Sequence, residues 1–140
     1  MSNESNKAIV RRYYVEVLNG GNVGLLETLV HADHVEHDPL PGQGGGGLAG
    51  FRKRVEMLRE GLKPEFTIEQ MVVEGDTVVV RWTNRGRHVA AFLGVPATNR
   101  SFTIAGIDVH ALRDGQLYEH RHVVDQLSMM QQLGLVPGGN

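Results

Sequence analysis

The stretch Pro64–His88, PEFTIEQMVVEGDTVVVRWTNRGRH, decides the fold. From Phe66 to Val73 and from Thr77 to His88, apolar and polar residues alternate with the period of a half-buried strand, and Glu74-Gly75-Asp76 between them supplies a tight turn. The same period returns in Ser101–Leu112 and Gln116–Asp125, joined by a turn around Asp114-Gly115. The loop Ala90–Asn99, AAFLGVPATN, connects the second strand to the third. The pattern predicts a four-stranded antiparallel meander.

Upstream of Pro64 the period changes to that of helices. Ile9, Val10, Tyr13, Tyr14, Val17 and Leu18 share one face of a helix over Asn6–Leu18, which Gly20 and Gly21 stop. Asn22 is placed to cap a short second helix carrying Leu25, Leu26, Leu29 and Val30, and His31–His37, HADHVEH, follows as a brief extended segment. Leu48, Phe51, Val55, Leu58 and Leu62 mark a third helix over Gly47–Gly61. Helices first and a long sheet afterwards describe an α+β domain: a curved antiparallel sheet wrapped around three N-terminal helices into a cone with an internal cavity.

Composition narrows the chemistry. A chain of 140 residues with no break in composition fits one domain, residues 1–140. The absence of cysteine excludes disulfides, thiolate nucleophiles and thiolate-ligated metals. A formal charge of -2, with acids and bases interspersed, offers no basic field for nucleic acid or an anionic membrane. The polar start MSNESNKAIV resembles no export signal, and no apolar run approaches membrane-spanning length, so the expected setting is the cytoplasm. The expected partners are a hydrophobic small molecule and further copies of the chain, as a homodimer or higher homo-oligomer.

The polar residues with catalytic character gather near the end. If the strands are regular, Gly106, Asp108 and His110 share one face, as do His120 and His122 on the next strand, and antiparallel pairing sets them opposite one another. A carboxylate beside an imidazole fixes its tautomer and leaves the other nitrogen to move a proton, which makes His122 with Asp108 the candidate acid/base pair. The same pair could instead be structural and fix strand register. Asp125 either orients His122 or His120, or caps a final helix. His37, His88 and His120 are candidates to bind or polarise a polar substrate group. Tyr14, Trp82, Phe51 and Met130 are candidate walls of an apolar cavity, or simply core. His31, His34 and His37 stand at intervals of three, but strand parity separates them, so no metal site is expected. Gly42, Gly44 and Gly47 fit a dinucleotide-loop spacing only because four glycines run together; the segment Pro39–Gly50 reads better as a mobile connection or a flap over a pocket mouth.

The segment Gly86–Phe102, GRHVAAFLGVPATNRSF, resembles the SnoaL-like polyketide cyclase family, as do Leu18-Asn19-Gly20, the acid-rich approach to His37, Asp114-Gly115, Asp125 and the tail Gln131–Gly134. The resemblance spans roughly residues 6 to 135. It implies the nuclear-transport-factor-2-like cone, a fold that also hosts isomerases, dehydratases and epoxide hydrolases. In the ester cyclases of the family, an Asp on the final strand is acid and base, a His on the preceding strand assists it, and an intramolecular aldol condensation proceeds without metal or cofactor. Aligned without gaps, His122 stands at the position of that Asp and Asp108 at that of the His, so the pair is swapped. The resemblance therefore implies a cofactor-independent cyclase acting by proton abstraction beside a carbonyl. Epoxide or ester hydrolysis, cofactor-free hydroxylation, and a non-enzymatic binding module are the alternatives on the same cone.

Overall fold

The computed structural model describes residues 2–138. Its first helix, α1 (Asn3–Arg12), begins on Ser2, whose hydroxyl accepts from the Ser5 N–H, and carries Glu4 in its first turn and Arg11 and Arg12 in its last. Beyond Arg12 the helix widens into a π-helical segment, Tyr13–Asn19. The Gly20 N–H reaches back five residues to Val15 O at 3.0 Å. The wider winding buries Tyr13, Tyr14, Val17 and Leu18 together. Such π segments are rare and recur at functional sites. A helical period read from sequence placed these residues on one face, but it carries no sign of the wider turn.

A 3₁₀ turn over Val23–Leu25 leads into α2 (Leu26–Leu29) and then β1 (Val30–Glu36). The extended segment expected here is a full strand. It pairs in parallel with the last strand, through Val35 opposite Glu119 and Glu36 opposite His120. After a glycine-rich loop comes α3 (Gly47–Leu62), which ends on Lys63 in the left-handed conformation at φ 44°, ahead of Pro64. The meander follows as β2 (Glu65–Glu74), β3 (Thr77–Arg87), β4 (Ser101–Arg113) and β5 (Gln116–Val124), and α4 (Gln126–Gln132) closes the described fold. The five-stranded sheet runs β1-β5-β4-β3-β2. The expected α+β architecture is present, with one strand more than the meander.

Alternation fixes which side chains face inward. Val78, Val80, Trp82 and Asn84 of β3 are buried, as are Phe102, Ile104, Gly106, Asp108, His110 and Leu112 of β4. On β2 the inward set passes from Phe66 and Ile68 to Met71 and Val73 across an irregularity between Ile68 and Gln70. Gly106 lies directly opposite Trp82, and a Cβ there would come within 2.2 Å of the indole. The missing side chain at Gly106 is what lets the indole lie flat across β4. The Tyr14, Phe66 and Trp82 rings pack edge to face, and buried side chains from Val10 to Leu133 form one apolar cluster.

Candidate active site

Strands β3, β4 and β5 and the π-helical segment converge on Asp108. This carboxylate is buried, and its oxygens take three donors: the Tyr14 hydroxyl, the Trp82 indole N–H at 2.9 Å and His120 Nε2 at 2.9 Å. The other nitrogen of His120, Nδ1, lies 2.7 Å from Glu36 Oε1. An imidazole between two carboxylates carries protons on both nitrogens. Burial opposes that charge, but the hydrogen bonds to Asp108 and Glu36 outweigh it and raise His120 to about 9. Burial likewise opposes ionisation of Asp108 and Glu36, and the bonded, cationic His120 holds both below the usual carboxylate range.

Two histidine rings stack on this imidazolium. His110 lies at 5.0 Å between ring centroids and His122 at 5.3 Å, nearly parallel at 7°. Burial, and then the charge of His120, push His110 down to about 3. The neutral ring shares its Nε2 with the Tyr14 oxygen at 2.8 Å. His122 is half-buried and also lowered, by burial first and then by the guanidinium of Arg54 and by His120. Arg54 Nη2 lies 3.5 Å from His122 Nδ1. Because a guanidinium has only donors, Nδ1 is the unprotonated nitrogen of a neutral ring.

Arg54 is buried in turn. Its Nη1 lies 3.3 Å from both Gln43 Oε1 and Asp38 O, and 3.6 Å from Glu36 Oε1. Gln43 belongs to the glycine-rich loop and also accepts from the Leu40 N–H, so the loop holds the cation in place. A cavity of about 70 Å³ opens beside these groups. Arg54, Trp82, Asp108, His120 and His122 line it, with Leu40, Phe92 and Leu93 among its apolar walls.

The expected residues divide accordingly. The register does set Asp108 opposite His122, but the hydrogen bond of Asp108 runs diagonally to His120, which lies opposite His110. Diagonal neighbours remain within reach of long side chains, and parity alone does not choose between them. Asp125 takes its alternative role: its Oδ1 accepts from the Ser128 N–H at 3.1 Å and caps α4. His37 turns outward to Glu119 at 3.4 Å and lines no part of the cavity. Tyr14 meets Asp108 rather than the cavity, and Phe51 packs against Tyr13 and His34 in the core. His88 and Met130 line a neighbouring cavity instead. The three histidines of β1 and its end scatter: His31 packs on Tyr118, His34 is buried against Phe51, and His37 meets Glu119.

Sequence reasoning missed Arg54 and Glu36. Arg54 falls three residues after Phe51 and four before Leu58, on the apolar stripe of α3, and a charge on that stripe was the available signal. Glu36 gave none, because nothing in the sequence pairs β1 with β5. Ligand atoms of Glu36, His120 and His122, and of Asp108, His110 and His120, lie within 4.8 Å of one another. In both groups His120 is bonded at both nitrogens, and Arg54 stands against the first group, so a cation there must displace existing partners.

The network makes stability bell-shaped in pH. His120, raised in the fold, contributes fully below its unfolded value of 6.5, and that contribution is lost as pH rises through about 9. His34 and His110, lowered to about 4 and about 3, cost stability as pH falls below 6.5, because only the unfolded chain then takes up their protons. Urea midpoints are therefore expected to be highest near neutrality and lower at both pH 5 and pH 9.5. A midpoint that stays flat from pH 7 to pH 9.5 contradicts a raised His120.

Among the described residues no helix is long and apolar enough to cross a membrane. A family model described as SnoaL-like polyketide cyclase matches residues 8–133. The chain is 31% identical over 135 residues to aklanonic acid methyl ester cyclase DnrD of Streptomyces peucetius, covering 90% of this chain and 88% of that one. It is 29% identical over 124 residues to nogalonic acid methyl ester cyclase of Streptomyces nogalater, covering 86% and 91%. The structure of TsrD from Streptomyces laurentii matches with a TM-score of 0.88 at 27% identity, over 97% of this chain and 99% of that one. In sequence along nearly its whole length, and in fold, the chain belongs to the SnoaL-like polyketide cyclase family.

Proposed function

We propose that the protein is a polyketide cyclase in which His122 is the general base and acid and Arg54 stabilises the enolate. The observation that carries this reading is the 3.5 Å approach of a permanent cation, Arg54 Nη2, to an unprotonated nitrogen, His122 Nδ1, at the wall of the cavity. Those two nitrogens are close enough to act on one H–C–C=O unit, His122 on the hydrogen and Arg54 on the oxygen. Asp108 and His120 are poorer bases, since the first is bonded to three donors and the second already carries its proton. The part of Asp108, with Glu36, is to keep His120 protonated; that imidazolium, together with burial and Arg54, favours the neutral form of His122 over the opposing pull of the two carboxylates.

In the cyclisation, Nδ1 takes the proton from the carbon next to a carbonyl as the enolate oxygen moves onto Arg54. The carbanionic carbon then bonds to a second carbonyl carbon of the same molecule. That carbonyl oxygen takes the proton back from the imidazolium, so the cycle balances within substrate and His122. The names of the relatives make aklanonic acid methyl ester and nogalonic acid methyl ester the first compounds to assay. In deuterated water, wild-type protein is expected to exchange the acidic C–H of a bound substrate faster than buffer does. Wild-type protein that catalyses neither this exchange nor the cyclisation of these esters would remove the enolate step.

Arg54→Met is expected to lower kcat about 10²-fold, as loss of one developing-charge donor does elsewhere. It is also expected to move the acid limb of the pH profile upward, because the guanidinium helps to hold His122 low. An unmoved limb would leave Arg54 with a structural role only.

A homodimer working in the cytosol is part of the same proposal. Ile107 and Val123 lie opposite one another on the outer face of the sheet, and with Val72 they are exposed. Sedimentation at micromolar concentration is expected to give twice the chain mass, and Val123→Lys to shift it toward the monomer. A wild-type monomer at that concentration rejects this assignment.

A further inference from the structure

Beside the catalytic cavity lies a second one of about 200 Å³, and Phe92, Leu93, Gln126 and Met129 are walls of both. The second cavity is lined mostly by aliphatic, aromatic and methionine side chains, with Met130 among them and only Gln126 and His88 as polar members. His88 is 1% exposed. Its Nδ1 accepts the Thr98 backbone N–H at 3.2 Å. A backbone N–H can only donate, so Nδ1 is the unprotonated nitrogen and Nε2 carries the hydrogen. That Nε2 is buried and has no hydrogen-bond partner among the described residues.

A buried donor without a partner is costly, and native structures leave few of them unexplained. His88 is a wall residue of this apolar cavity, and its unpartnered donor suits a ligand that is mainly hydrocarbon and bears a single oxygen acceptor. The two cavities adjoin across these shared walls, with Phe92 and Leu93 between the second cavity and the groups around His122.

We infer that the second cavity is a subsite for the far end of the substrate, taking an apolar ring or chain whose carbonyl or ether oxygen accepts from His88 Nε2–H. The inference rests on reading the first cavity as the active site, and it adds a substrate class: elongated, with its reacting carbonyl at His122 and an oxygen acceptor at the opposite end. Phe92 and Leu93 then lie along the substrate between its two ends. Gly61 contributes to their placement, since a Cβ there would stand 3.0 Å from the Phe92 ring.

The test uses 2-acetylnaphthalene and 2-ethylnaphthalene, which share a hydrocarbon body and differ in the oxygen. Each is titrated into wild-type protein carrying 15N-labelled histidine. The ketone is expected to bind about fivefold more tightly, in line with one net hydrogen bond, and to shift the His88 ring resonances at saturation. His88→Phe is expected to abolish the preference while retaining the hydrocarbon, and Met130→Trp to weaken both probes by occupying the space. Equal affinities in the wild type, or a saturating ketone that leaves His88 unshifted, overturn the inference; neither reading needs a variant that folds. Repeating the titration in His122→Ala separates the two proposals, because the subsite persists there whatever His122 does in turnover.

Discussion

His122→Ala is expected to lower kcat by about 10³-fold, within the span that a positioned acid/base group contributes. Little else is expected to change. The ring is half-buried and, among the described residues, stacks on only one neighbouring imidazole and has one side-chain polar contact, the 3.5 Å approach of Arg54. Asp38 Oδ2 accepts from the His122 backbone N–H, which alanine keeps. Circular dichroism and the urea midpoint should therefore match the wild type while turnover collapses. Added imidazole should restore part of the rate, since the substitution leaves a space beside Arg54 that the free base fits. Unchanged kcat, or a loss of rate that follows a loss of folded protein, would sink the assignment.

Asp108→Ala is expected to act on stability first. It removes the acceptor of the Tyr14 hydroxyl, the Trp82 indole and His120 in one step, and it leaves His120 with Glu36 alone to balance its charge. Breaking a buried charge pair in this way costs about 3–5 kcal/mol, a large part of the stability of a small domain. Asp108→Asn keeps the shape and one acceptor and should cost less, while lowering the His120 pKa that NMR titration reads. A loss under about 1 kcal/mol for the alanine variant would mean that the network is not the keystone its geometry describes.

The two substitutions differ because the site has two layers, and the sequence made one of them legible. Alternation in Ser101–Leu112 and Gln116–Asp125 was enough to bring Asp108 and His122 to one register position. It was not enough to say that Asp108 would turn to His120, because that choice depends on Glu36 holding the far nitrogen of the ring. Glu36 comes from a parallel pairing across more than eighty residues of chain, and long-range pairing of an edge strand has no local signature. Arg54 could have been found, as a charge set among Phe51, Val55 and Leu58. Asp125 reads from sequence both as an orienter of a histidine and as a helix cap, and the structure shows the cap, made to the Ser128 N–H three residues on, where a first-turn N–H needs an acceptor. The π-helical winding that buries Tyr13 and Tyr14 side by side lay beyond a reading based on one helical period.

The flat packing of Trp82 across Gly106 has a practical consequence. This chain has a single tryptophan, and its indole N–H is bonded to Asp108 while its ring forms part of the cavity wall. Tryptophan fluorescence, excited at the red edge where tyrosine absorbs little, therefore comes from one emitter whose surroundings change when a ligand enters or when the carboxylate network changes charge. The protein carries its own optical reporter of site occupancy, with no label to add and no second indole to subtract.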